Sequence, residues 1–357
     1  MSSAICDPPT LSDAVFIRRA HQLVGDLMRP NPAVYWTDFL CSTAIGYAAA
    51  CAYLLAPMGS FLQAAGLIVS VLALYRVSTF THELAHLPQS RMRAFRVAWD
   101  VIFGVPFLMP SFTYANHRHH HTNQTYGTTE DAEYYPFGHN PPGLLMSNIA
   151  LTPLFPVLMI VRFGLLAPLS LLHPTLRRWV WERVSSINFF NPDYRRAAPD
   201  AHDRRAVAMA ELGCFLVVVV GCTLLAVGVI SWSAVGKVYV GWVLALLLSV
   251  AKYYSGHRWL GDRAPMTVLE QLRDTTTIPG GPWTELWAPL GLRYHALHHL
   301  FPAMPYHSLG VAHRRLIRDL PPDSPYHATI RPSLVVALRE LVQSARHSRA
   351  AGRPSQN

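Results

Sequence analysis

The sequence predicts an all-α integral membrane protein: four transmembrane helices with a cytoplasmic helical cap that holds a histidine-lined metal site. Three observations lead there. Only 14% of the 357 residues are charged and 51% are hydrophobic, whereas soluble domains carry roughly 25% charged residues. Four apolar runs are long enough to cross a bilayer, since about 20 residues at about 1.5 Å each span the roughly 30 Å hydrocarbon core. The chain also holds eighteen histidines, and the ones that matter fall in clusters just beyond the ends of those runs.

Residues 1–34 form a polar cytoplasmic segment with Arg18, Arg19 and Arg29. No short apolar core with a small-residue cleavage site follows these charges, so the segment does not read as a signal peptide. The first span covers about 36–57, and Met58-Gly59-Ser60 turns the chain into a second span at about 61–79. That span runs into His82, and Arg91, Arg93 and Arg96 follow. Basic residues favour the cytoplasmic side, which puts the amino terminus and His82 on the same, inner side. Residues 97–113 are apolar but short and contain Pro106 and Pro110, which suits a re-entrant or interfacial helix better than a span.

Residues 144–172 are apolar but interrupted by Pro153, Pro156, Arg162 and Pro168. They read as helices lying in the interface, a crossing hairpin being the alternative. Residues 173–205 mix Arg177, Arg178, Arg195, Arg196, Arg204 and Arg205 with Trp179, Trp181, Phe189 and Phe190, a composition suited to the headgroup layer. The third and fourth spans cover about 206–230 and 238–254, and Lys237 is the only cation at the turn between them. Residues 35–320 therefore read as one unit with four spans, and 321–357 as a cytoplasmic tail, mobile from about Ser344. No internal repeat and no glycine-rich nucleotide fingerprint is present.

The net charge is +9, nearly all from arginine; Lys237 and Lys252 are the lysines. The basic residues lie between and after the apolar spans, so lipid headgroups and cytoplasmic flanks explain them. No nucleic-acid module accompanies them. The five cysteines, Cys6, Cys41, Cys51, Cys214 and Cys222, are odd in number and form no Cys-x-x-Cys pair. They read as small buried apolar residues without a disulfide framework.

The stretch His82-Glu83-Leu84-Ala85-His86 is ambiguous by itself. On a helix His82 and His86 share one face and can grip one metal ion. The pattern His-Glu-x-x-His is the zinc metalloprotease signature, with Glu83 as general base. Two further clusters argue against that: His117, His120 and His121, and His295, His298 and His299. A zinc site takes three or four protein ligands, so eight histidines exceed one zinc and suit two metal ions. An intramembrane zinc protease also needs a further ligand, commonly in a Leu-Asp-Gly context; the chain has Leu260-Gly261-Asp262 instead. A metal or proton transporter would place polar ligands near the bilayer midplane, and the spans here are nearly free of histidine and carboxylate. His119 falls at an interior position of the second cluster and is left out of the ligand set. His307 and His313 read as local packing or capping residues.

The three boxes, H-x3-H, H-x2-HH and H-x2-HH, resemble those of the membrane fatty acid desaturase superfamily, which includes hydroxylases and ketolases. The resemblance runs from about Trp36 to Leu320. The stretch from Thr284 to Pro302, which reads TELWAPLGLRYHALHHLFP, is similar to one bacterial branch. It implies a di-iron centre held by the eight box histidines and a ninth just after the fourth span, here His257 in Lys252-Tyr253-Tyr254-Ser255-Gly256-His257. Animal acyl-CoA desaturases have an asparagine where Tyr253 stands, so that detail does not carry over. The bacterial branch typically has arginine where Lys252 stands. Asp131 and Glu133 resemble the acidic segment that follows the second box. Asp131 is the candidate to accept a hydrogen bond from a metal-bound ring, with Glu83 and Asp262 as further supporting carboxylates and Glu270 a weaker one.

The resemblance implies O2-dependent oxidation of a lipid acyl chain. Desaturation is the first expectation and hydroxylation or ketolation the alternative, since the boxes do not separate them. No haem-binding or iron–sulfur segment is visible, so electrons are expected from a separate donor, commonly an acidic ferredoxin-type protein that arginines could dock. The expected place is a bacterial inner membrane, with both termini and the site cytoplasmic.

Overall fold

The computed structural model describes residues 11–88, 92–187 and 191–350. Cys6, Arg91, Phe189 and Phe190, weighed above, lie outside the described residues. Helix α1 (Leu11–Val24) precedes two long antiparallel helices, α2 (Pro32–Leu55) and α3 (Phe61–His86). Their starts are written locally. The Asn31 side chain accepts from the Ala33 N–H with Pro32 in the first turn, and the Ser60 side chain accepts from the Gln63 N–H; such caps satisfy amide groups that a helix leaves unpaired. The two helices pack closely because small residues stand at the crossing. A Cβ on Gly66 would come 2.7 Å from the Tyr53 backbone nitrogen, so only glycine allows this approach.

Helix α3 extends past the expected end of the span to His86, which puts the first box on its last two turns. Helix α4 (Arg93–Trp99) and a π turn at Asp100–Gly104 follow. The Tyr47 hydroxyl donates to the Ile102 carbonyl at 2.6 Å, and the Trp99 indole N–H to the Val77 carbonyl at 2.8 Å. This short segment is thereby tucked against α2 and α3. The Asp100 carboxylate accepts from the Ser111 N–H and hydroxyl at 2.6 and 2.7 Å. It thus fixes the start of the 3₁₀ helix Ser111–His121, which carries the second box.

Helices α5 (Pro142–Leu151), α6 (Phe155–Val161) and α7 (Ala167–Ser170) are joined by a 3₁₀ and a π turn. The first joint falls where Pro153 and Pro156 cannot donate to the helix ladder, and the second lies just ahead of Pro168. Arg162, 2% exposed, donates to the Ser185 hydroxyl and the Glu211 carboxylate, and Arg177 donates to the other Glu211 oxygen. These bonds tie the stretch to α8 (Pro174–Val184) and α9 (Arg204–Ala226); α10 (Trp232–Gly256) returns.

Helices α11 (Val268–Asp274), α12 (Thr284–Trp287), α13 (His295–Leu300) and α14 (Tyr306–Asp319) gather at the histidine end. Leu297, Leu309 and Leu316 form a core there with Ala20 and Val24 of α1. Helix α15 (Leu334–Ala350) corrects the expectation of a mobile tail from Ser344. Ala337, Leu341 and Ala345 are buried at i, i+4 spacing, a stripe that anchors the helix, and Leu341 packs in a cluster with Phe137 and Trp259.

Five helical stretches among the described residues are long and apolar enough to cross a membrane: Pro32–Leu55, Phe61–His86, Pro142–Ser170, Arg204–Ala226 and Trp232–Gly256. The third is the stretch that the sequence reading laid in the interface, with a crossing hairpin as the alternative; it has the length and hydropathy of a span despite its prolines and Arg162. The chain is an integral membrane protein. No strand occurs among the described residues, which form two isolated bridges, His257 with Thr275 and Thr277 with Ile330. Cys214 is buried as expected, but Cys41, Cys51 and Cys222 are exposed on their helices.

Candidate metal centre

Nine histidines converge in two adjoining groups. His82, His86, His117, His121 and His298 form one, and His120, His257, His295 and His299 the other; in each group one nitrogen from every ring lies within 4.8 Å of the others. The split follows helical geometry. The i, i+4 pairs His82/His86 and His295/His299 each stay in one group, as neighbours on one α-helix face do, and His117 and His121 on the 3₁₀ helix also stay together. The middle member of each longer box crosses over: His120 joins His257, and His298 joins His86. The two groups are therefore laced together, each of the two longer boxes serving both.

The arrangement fits two metal ions. His121 Nε2 lies 3.0 Å from His117 Nε2, His298 Nε2 lies 3.1 Å from His86 Nε2, and His295 Nε2 lies 2.8 Å from His257 Nε2. Two nitrogens bound at about 2.1 Å to one metal at a right angle stand about this far apart. Both nitrogens of His82 and of His299 are buried without a hydrogen-bond partner among the described residues. Buried polar atoms are rarely left so, and a shared cation satisfies them. Burial also holds His117, His121, His257, His295, His298 and His299 well below the ordinary imidazole range, so the rings are neutral and ready to ligate.

Carboxylates orient the rings from outside. Asp131 Oδ2 lies 2.7 Å from His120 Nδ1 and also accepts from the Gly127 N–H at 3.1 Å. Burial pulls the His120 ring down, but the Asp131 carboxylate outweighs it and raises its pKa. Glu133 Oε1 lies 2.6 Å from His117 Nδ1, and burial pushes the Glu133 carboxyl up. An N–H donated to a carboxylate leaves Nε2 free for a metal and fixes the tautomer. His257 is held differently: the Tyr126 hydroxyl lies 2.9 Å from His257 Nδ1 and donates to Asp274 Oδ2 at 2.9 Å. The Tyr134 hydroxyl donates to the same oxygen at 2.7 Å, and burial raises Asp274 to about 6.

Glu83 accepts from the Tyr35 hydroxyl and the Tyr306 N–H, and its second oxygen stands 3.8 Å from His82 Nδ1. These bonds brace α3 against α2 and α14. Asp262 needs correction: it is exposed and accepts from the Ala264 N–H, because the turn there points it outward. Asp274 is the acid that reaches His257, and sequence reasoning missed it and Tyr126. Glu270 closes a capping box with Thr267. His119 is exposed, His307 accepts from the Asn31 N–H, and His313 pairs with the Tyr326 hydroxyl.

A cavity of about 390 Å³ opens onto His82, His117, His257 and His295. Its wall includes the polar Lys252 and Asn148 and the apolar Leu154 and Leu158. Tyr253, also in the wall, donates to the Glu133 carbonyl.

The sequence profile of the fatty acid desaturase family matches residues 59–330. A ceramide hydroxylase of Caulobacter vibrioides (strain NA1000 / CB15N) is 38% identical over 352 residues, covering 96% of this chain and 98% of that protein. With the two histidine groups opening onto a cavity, these similarities make the chain an oxidoreductase, and it belongs to the fatty acid desaturase family.

Proposed function

We propose that the protein is an O2-dependent hydroxylase of a ceramide-class lipid. The observation that carries hydroxylation is the 38% identity to a ceramide hydroxylase across nearly the whole of both chains. It favours the alternative weighed from sequence over desaturation, which stood first there.

His82, His86, His117, His121 and His298 would hold one iron, and His120, His257, His295 and His299 the other. The iron pair with O2 supplies oxidation of an unactivated C–H bond, chemistry that no side chain offers. The protein's own residues do the rest. Asp131, Glu133 and the Tyr126–Asp274 pair keep their rings aimed inward. The cavity walls hold one carbon of the lipid against the rings and exclude water. Lys252 and Asn148, both in the cavity wall, offer polar contacts to the lipid's hydroxyl and amide groups.

Four of the five long helices cross the bilayer in this reading. His120 and His257 lie 3.3 Å apart at Nε2, so an even number of crossings must separate them. Helices α9 and α10 supply two; a single crossing by Pro142–Ser170 would make three, and its 29 residues are too few for two crossings of about 20 residues each, which leaves it in the interface. The ties of Arg162 and Arg177 to Glu211, near the cap end of α9, support this. Both termini then lie with the site on the cytoplasmic side of an inner membrane. A separate, acidic electron donor would dock on the arginine-rich inner face.

Turnover of a ceramide under isotopically labelled O2 tests the reading. The expected product gains one labelled oxygen atom. A product that has lost two hydrogens and gained no oxygen would return the protein to the desaturases.

A further inference from the structure

A second apolar cavity, about 270 Å³, adjoins the first and is not used by the chemistry above. The two share Ser78, Met109, Leu246 and Ser249 in their walls. From that junction the second runs between α2, α3 and α10 toward the opposite end of the bundle, reaching Lys237 and Leu54. Ser249 and Lys237 are twelve positions apart on α10, about 18 Å along the helix axis. The Lys237 ammonium donates to the Leu54 carbonyl at 2.8 Å and stands 6.0 Å from the Tyr53 ring centroid. This contact sits at the far end.

The first cavity takes another direction. It runs from the histidines past Asn148 to Leu154 and Leu158, two leucines about half exposed on the outside of the bundle. The arrangement is therefore forked: a polar mouth at the histidines and Lys252, then two apolar arms that part at Met109 and Leu246. A single hydrocarbon chain fills one arm and leaves the other open. Open apolar volume lacks the dispersion contacts of a packed interior, so the fork matches a lipid with two chains on one polar junction.

We propose that the second cavity seats one hydrocarbon chain of a two-chain amide lipid while the other chain lies in the Leu154–Leu158 arm. The proposal rests on the hydroxylase reading above and adds where the two chains of the lipid lie. Gly241 gives a direct handle. It lines the second cavity, and a Cβ built on it meets nothing within 4 Å, so Gly241→Phe adds bulk to the arm without a backbone clash. Ala245→Leu is a smaller obstruction on the same wall.

The experiment compares the unaltered protein, Gly241→Phe and Ala245→Leu on three ceramides: both chains long, the first chain short, and the second chain short. Metal content and melting temperature are measured alongside. The expected result is a loss of at least about tenfold on the long–long ceramide, a factor that corresponds to about 1.4 kcal/mol of transition-state binding. Shortening one of the two chains restores turnover, shortening the other does not, and metal content is unchanged. Equal slowing of all three ceramides, or none, overturns the two-arm proposal and leaves the hydroxylase reading standing. Failure of the unaltered protein to oxidise any of the three overturns both.

Discussion

His120 Nε2 stands 3.3 Å from His257 Nε2 although 137 positions separate them. The contact joins the 3₁₀ helix of the second box to the residue that ends α10, and it brings the ninth histidine into the centre. Because His120 leaves its neighbours His117 and His121 to make it, the second box serves both groups. The same is true of His298 in the third box.

Loss of single histidines should therefore be selective. His257→Ala removes a ligand from one group only, and His86→Ala from the other. Each variant is expected to bind less metal than the native protein, the deficit falling on one site, and to lose turnover. Metal analysis on purified protein reads this directly.

Glu83 separates an oxygenase from a hydrolase. It receives hydrogen bonds from Tyr35 and Tyr306, so Glu83→Gln should lower stability while keeping metal and part of the turnover. Complete loss of activity with full metal content would restore the role of general base.

Asp131 and Glu133 touch ring nitrogens that face away from the centre. Asp131→Asn and Glu133→Gln are expected to weaken metal affinity about 10- to 100-fold, the usual cost of losing such an orienting partner. Chelator competition measures it, and unchanged affinity would show that the rings are aimed by packing alone.

Burial holds six of the histidines well below the ordinary value of 6.5. In the metal-free protein their folded rings stay neutral where the unfolded chain takes up protons. Stability is thus kept above pH 6.5 and falls progressively as pH drops below it. The melting temperature of metal-stripped protein against pH checks the sign; a melting temperature that rises on acidification contradicts it.

The clustering of the histidines was readable because their spacing is local. His82/His86 and the two H-x2-HH boxes announce themselves through helical neighbours, and His257 came through resemblance to a family. Asp274 was not readable: it acts through Tyr126, 148 positions away, and no spacing rule links them. Asp262, near His257 in sequence, looked better and points to solvent. The Pro142–Ser170 stretch was ambiguous because prolines and Arg162 argue against a span while hydropathy argues for one. The carboxy-terminal helix was missed because its basic residues masked the buried stripe of Ala337, Leu341 and Ala345.

The metal content of the purified, active protein tests the central claim most directly. Two laced groups of five and four histidines predict two iron ions per chain. A single zinc ion per chain with full activity would contradict the account.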